Sequence, residues 1–292
     1  MQKQKSIAEK PIDIRKVFRE KNPNLAKIMP DFVFRYIDRI LQTDFLNYIF
    51  TEYGHLTGIE FVDEAVKEFN IREQIHGYEN IPNTGRFIFA SNHPLGGFDA
   101  LVLMKLVHKK LGKLKFITND VLMAIPNLSP MFIPVNKHGS NSRDAARVLN
   151  ETYDSDEQIL IFPSGMASRK IKGKIVDLEW KKHFITKAIK HKRDIIPVFV
   201  EGRNSNRFYR IANWRKFLHI GWNLEMFFLP DETIKHRNKT VPIYFGKPIS
   251  YNTFDSSKNH KEWAEWVKTR VYQLPDTFKT ENFKRVDETR KH

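Results

Sequence analysis

The sequence predicts an α/β protein: a largely parallel central sheet flanked by helices, with an N-terminal amphipathic helical region. Two observations carry this. From Gly85 onward, short apolar, β-branched or aromatic runs alternate with segments of helical periodicity, whereas the first 80 residues read as helical. No stretch reaches the roughly 18 continuous apolar residues of a spanning helix, and the charged start MQKQKSIAEKPIDIRK lacks the apolar segment of a secretory signal.

Taken in order, residues 30–54 come first. Phe34, Ile37, Ile40, Leu41, Phe45, Tyr48 and Ile49 recur at three- and four-residue spacing, with Arg35, Asp38, Arg39 and Gln42 between them. Pro30 and Asp31 suit a helix start and Gly54 a stop. Such a face either lies on a bilayer, with Arg35 and Arg39 among headgroups, or packs on a domain core. Residues 86–90 (RFIFA), 115–118, 131–135, 158–162, 195–200 and 241–245 read as buried strands. Helices are expected at 100–111, 143–153, 180–191 and 207–218. A last helix at 262–274 gathers Trp263, Trp266, Val267, Val271 and Leu274 on one face. This gives three regions: a helical, membrane-associating segment at 1–80, an α/β domain at 81–280, and a flexible charged tail at 281–292.

Composition narrows the function. The 292-residue chain has no cysteine, which excludes disulfides, thiolate metal sites and a sulfur nucleophile. Forty-nine Lys and Arg against 34 Asp and Glu give a net charge of +15, so the expected partner is anionic: a membrane surface, a phosphorylated substrate or nucleic acid. No clustered His and carboxylate spacing suggests a metal.

The chemistry-bearing residues fall on turns after the predicted strands, where the sites of parallel sheets form. In SNHPLGGFDALVLM, His93 follows the first strand and Asp99 begins the next helix. A carboxylate there can hold one imidazole nitrogen while the other faces substrate, as a general base requires; alternatively Asp99 is the N-cap of the helix and His93 a surface residue. After the strand at 158–162, PSGMASRK offers Ser164, Gly165 and Arg169 to an oxyanion or phosphate. After 131–135, NKHGSNSR offers Asn136 and Lys137. No Gly-x-Ser-x-Gly elbow accompanies these loops, which argues against a serine hydrolase.

In this order, Asn92-His93 with Asp99, then FIPVNK at 132–137, FPSGMASR at 162–169 and IIPVFV at 195–200 resemble the four blocks of the glycerolipid acyltransferase superfamily, whose type members are the 1-acylglycerol-3-phosphate acyltransferases. The resemblance spans residues 77–245. It implies transfer of a fatty acyl group from acyl-CoA or acyl carrier protein to a lysolipid hydroxyl, with His93 as general base, Asp99 as its orienter, and no cofactor beyond the acyl donor. It also implies substrate-binding roles for Asn92, Asn136, Lys137, Ser164, Gly165 and Arg169, and an oxyanion met near Gly165 and Lys137. The sequence departs from the family in two places: five residues, not four, separate His93 from Asp99, and Ser164 replaces the third block's Glu. Gly96 and Gly97 can absorb the first departure. The second makes a hydroxyl-bearing acylated amino acid as plausible an acceptor as lysophosphatidic acid. The expected setting is cytoplasmic, on the inner face of an anionic membrane, with nucleic acid an unlikely partner. The alternative is an altered member, or a basic module, that binds lipid or nucleic acid without turnover.

Overall fold

The structure, a computed structural model, describes residues 11–118, 125–134, 142–221 and 223–289. Five short helices lead: α1 (Ile14–Lys21), α2 (Pro23–Ile28), α3 (Asp31–Leu41), α4 (Thr43–Tyr53) and α5 (Gly58–Glu68). Then come β1 (Arg72–His76), β2 (Phe87–Ser91), α6 (Phe98–Leu111), β3 (Leu114–Thr118), β4 (Phe132–Pro134), α7 (Ser142–Asp154) and β5 (Gln158–Ile161). The hairpin β6 (Arg169–Ile171) and β7 (Lys174–Val176) precedes α8 (His183–His191), β8 (Asp194–Val200), α9 (Asn206–Phe217), α10 (Leu229–Ile234), β9 (Thr240–Phe245) and α11 (His260–Thr289).

The sheet order is β1-β9-β8-β2-β5-β3-β4. From β8 to β4 every neighbouring pair is parallel, whereas β9 runs antiparallel to β8 and carries β1 parallel beside it. β2 sits at the centre because its residues are apolar on both sides. Phe87 and Phe89 join the cluster under α5 and α6, while Ile88 and Ala90 join the one under α8 and α11. All six expected strands and the five expected helices of residues 100–274 are present within a few residues of their predicted bounds, α11 excepted at its end.

The differences have local causes. The expected helix at 30–54 is two helices, because Gln42 takes the left-handed conformation (φ 53°) and its side chain donates to Asp231 Oδ1 at 2.9 Å. Of the periodic face, Phe34, Ile40 and Ile49 are buried and Tyr48 is exposed, with Phe32 and Tyr36 of α3 also facing out. The buried residues of that face follow the packing alternative of its two readings. β1 lies inside the segment read as all-helical; as a half-exposed edge strand with the sequence REQIH, it has no apolar run to announce it. The β6–β7 hairpin turns through Lys172 and Gly173, both at positive φ, as tight hairpin turns require. α11 continues past the predicted Leu274 and through Pro275, keeping a helical backbone to Thr289 in the segment expected to fray.

Candidate active site

Asn92 fixes the end of β2. It is buried, its Nδ2 donates to the Val200 carbonyl at 2.9 Å, and its Oδ1 accepts from the Val200 N–H at 2.7 Å. Both ends of the amide are thus used to clamp β2 to β8, so the residue expected to bind substrate instead positions the turn that follows. His93 comes next, and Gly96 (φ 71°) and Gly97 (φ 136°) carry the chain into α6 through conformations that side-chain-bearing residues avoid.

This glycine pair accommodates the extra residue between His93 and Asp99. Asp99 lies in the first turn of α6, with Gly97 at the cap position. His93 Nδ1 is 2.9 Å from Asp99 Oδ2. The same carboxylate accepts from the N–H groups of Leu95 (3.0 Å), Gly97 (3.0 Å) and Ala100 (3.1 Å). Burial alone would raise the Asp99 pKa, but the attraction and hydrogen bond of His93, with the backbone donors of Leu95 and Gly97, outweigh it and hold the group below the ordinary carboxylate range. An ionised carboxylate only accepts, so Nδ1 carries the proton, and in the neutral ring Nε2 holds the lone pair. The ring stacks on Phe162 at 4.0 Å between centroids, and its side chain keeps 13% of its surface open. A neutral imidazole held this way can take a proton from a hydroxyl.

A second carboxylate, which the sequence reading missed, holds the backbone of the same residue. Asp177 Oδ1 accepts from the His93 N–H at 3.2 Å and from Ser168 Oγ at 2.5 Å, and Oδ2 accepts from Trp180 Nε1 at 2.8 Å. The Ser168 N–H in turn donates to the His93 carbonyl at 2.8 Å. Burial raises the Asp177 pKa against these three donors. No motif marks Asp177, which lies in KIVDLEWKK with Glu179 two residues on and Trp180 three residues on.

The third-block residues separate in space. Gly165 is exposed in a turn at φ 66°, and its N–H donates to the Phe162 carbonyl at 2.9 Å, so it is not available to an oxyanion as expected. Ser164 is buried and closes the same turn by donating to the Met166 carbonyl at 2.8 Å. Arg169, expected to meet substrate, is buried and paired with Glu225 at 2.7 Å, with Arg215 on the other carboxylate oxygen at 3.0 Å. Its guanidinium also donates to the Ala167 carbonyl at 2.5 Å. Arg169 thus locks the β6–β7 hairpin to the segment after α9 instead of facing a ligand. Lys170, Lys172 and Arg210, with Asn206, Tyr209 and Asn213, instead line an open basic cleft between that hairpin and α9. Asn136 and Lys137 lie outside the described residues.

A family profile described as "Acyltransferase" matches residues 16–280. Two proteins named lyso-glycine lipid O-acyltransferase, from Bacteroides thetaiotaomicron and Phocaeicola vulgatus, are each 41% identical over 264 residues. Those alignments cover 90% of this chain and 97% and 95% of the relatives. Among solved structures, the 1-acyl-sn-glycerophosphate acyltransferase PlsC of Thermotoga maritima matches with a TM-score of 0.49 and 20% identity, covering 74% of this chain and 78% of that one. With the family profile spanning most of its length and relatives this similar along nearly all of it, the chain belongs to the acyltransferase family and is an O-acyltransferase of the glycerolipid acyltransferase superfamily.

Proposed function

We propose that the enzyme transfers a fatty acyl group from an acyl thioester to the hydroxyl of a lyso-glycine lipid, an acylated amino acid with a free hydroxyl. The observation that carries the reaction is the 2.9 Å contact between His93 Nδ1 and Asp99 Oδ2. His93 Nε2 takes the acceptor hydroxyl proton as the oxygen attacks the thioester carbonyl, and Asp99 stabilises the imidazolium that forms. The tetrahedral intermediate collapses, the C–S bond breaks, and the proton passes from Nε2 to the departing thiolate. Ester and free thiol are the products.

The acceptor is taken from the names of the two relatives, and the absence of the third block's Glu at Ser164 agrees with a headgroup other than glycerol phosphate. The basic cleft at Lys170, Lys172 and Arg210 suits the phosphates of a CoA or phosphopantetheine donor. A peripheral position on an anionic membrane fits the net charge of +15 and a described chain in which no helix is long and apolar enough to cross a bilayer.

The test is acyl transfer from labelled acyl-CoA and acyl carrier protein to lyso-glycine lipid and lysophosphatidic acid, comparing wild type with His93→Ala and Asp99→Asn. Product on lyso-glycine lipid that vanishes with His93→Ala and falls about a hundredfold or more with Asp99→Asn is the expected outcome. Equal activity of wild type and both variants would remove the dyad from the mechanism. Turnover confined to lysophosphatidic acid would remove the acceptor.

A further inference from the structure

We propose that the end of α9 and the turn at Leu224–Phe228 form the surface by which this enzyme sits on an anionic lipid bilayer, beside the catalytic turn. This rests on the reading that the acceptor is a lipid. On the face along α3 and α4 that could lie on a bilayer or pack inward, Phe34, Ile40 and Ile49 are buried. Phe32 and Tyr36 are exposed on α3, but the densest group of exposed apolar side chains lies at the end of α9.

On α9, Phe208 and Tyr209 point inward and are buried, while Trp214 is 71% exposed, Phe217 80% and Leu218 61%. Positions 214, 217 and 218 share one side of the helix. Phe227, 58% exposed, adds to this rim from the turn that packs against α9. Large aromatic side chains left this open on a soluble surface mark a contact with something apolar. The same side of α9 carries Arg207 and Arg210 two turns and one turn earlier, and exposed Lys216 lies next to Phe217. Basic residues at one end of a helix face and aromatic residues at the other match a helix that dips one end below the headgroups of an anionic leaflet. An acidic protein partner would be served by the charges but not by the aromatic end.

The rim is bound rigidly to the site. Glu225, fully buried, joins Arg215 of α9 to Arg169 of β6, and the neighbouring Ser168 holds the His93 carbonyl. Arg207 also lies over the Phe228 ring and donates to Tyr36 of α3 at 3.0 Å. The rim and the turn that carries His93 are thus held to one another through Glu225, Arg169 and Ser168.

The experiment is flotation of the full chain with vesicles of phosphatidylcholine alone and of phosphatidylcholine mixed with phosphatidylglycerol, comparing wild type with the double variant Trp214→Ser and Phe217→Ser. Acyl transfer to acceptor dispersed in detergent is measured in parallel. Both side chains are exposed, so the fold has no stake in them. The expected result is binding to the mixed vesicles that weakens roughly tenfold to a hundredfold in the variant, with transfer to dispersed acceptor unchanged. As a second measurement, brominated lipid should quench a Trp214 component that is missing in Trp214→Phe, a variant that keeps an apolar side chain. Equal vesicle binding by wild type and double variant overturns the surface. So does wild-type self-association that the variant abolishes while vesicle binding persists, since the face would then join two copies of the chain. Transfer to dispersed acceptor without any vesicle binding overturns the surface and leaves the reaction intact. Patch-dependent vesicle binding in a protein that transfers no acyl group does the reverse.

Discussion

Asp177 holds His93 by its backbone, accepting from its N–H at 3.2 Å, while Asp99 holds the same residue by its ring at 2.9 Å. Two buried carboxylates thus fix one imidazole from opposite ends. The division matters because a ring whose backbone can drift is not held by its side-chain partner alone.

Asp177 is therefore expected to act as a positioning residue. Its three neighbours, the His93 N–H, Ser168 Oγ and Trp180 Nε1, all donate to it. Asp177→Asn must turn an NH2 group toward at least one of these donors, in either amide orientation. We expect a stability loss of about 1–3 kcal/mol and a kcat lower by roughly tenfold to a hundredfold, with KM nearly constant. Steady-state kinetics alongside urea denaturation separates the two effects. A variant whose KM rises at unchanged kcat would place Asp177 in acceptor binding.

Asn92→Ala distinguishes clamp from ligand. The substitution strands the Val200 N–H and carbonyl in a buried site, which should cost about 2–4 kcal/mol. Chemical denaturation measures this directly. If stability were unchanged and only acceptor affinity fell, Asn92 would be a substrate contact after all.

The Arg169–Glu225–Arg215 group sets a third expectation. Glu225 is fully buried between two guanidinium groups, so Glu225→Gln removes the charge that compensates both and should destabilise the fold by about 3–5 kcal/mol. By contrast Glu151→Ala, which breaks the exposed pair with Arg147, should cost less than about 0.5 kcal/mol. Parallel melting curves of the two variants check the ranking; similar losses in both would mean the buried group is not a structural lock.

The sequence made the sheet legible because its strands are buried on both faces and read as continuous apolar runs, as in RFIFA and QILI. It concealed β1 and the β6–β7 hairpin, whose half-exposed residues carry no such runs. His93 and Asp99 were legible since they sit close in sequence on a strand-to-helix turn, where local geometry nearly decides their contact. Asp177 and Glu225 were not: the first lies 84 residues from His93 and the second 56 from Arg169, and chain folding alone brings them together. The same reasoning explains the misassigned Arg169. A cation shortly after a glycine-containing turn reads as a ligand-binding group until its buried partner is known.

His236 gives the site neighbourhood a pH dependence with a defined sign. It packs parallel to Phe98 at 6.2 Å, and its buried Nε2 has no hydrogen-bond partner among the described residues. Burial lowers its pKa, with Lys239 and Lys235 adding to the effect, and Asp99 and Glu232 oppose it. At pH above the unfolded value of about 6.5 the ring is neutral in both states and costs nothing. As pH falls below that value the unfolded chain takes up the proton first, so stability is lost on acidification. His236→Phe keeps an aromatic ring against Phe98 and removes both the titration and the unpaired nitrogen. The variant should match or exceed wild type in denaturation at neutral pH, and its advantage should widen on descent through about pH 6.5. Identical pH slopes for the two proteins would show that His236 remains free to take its proton in the folded state.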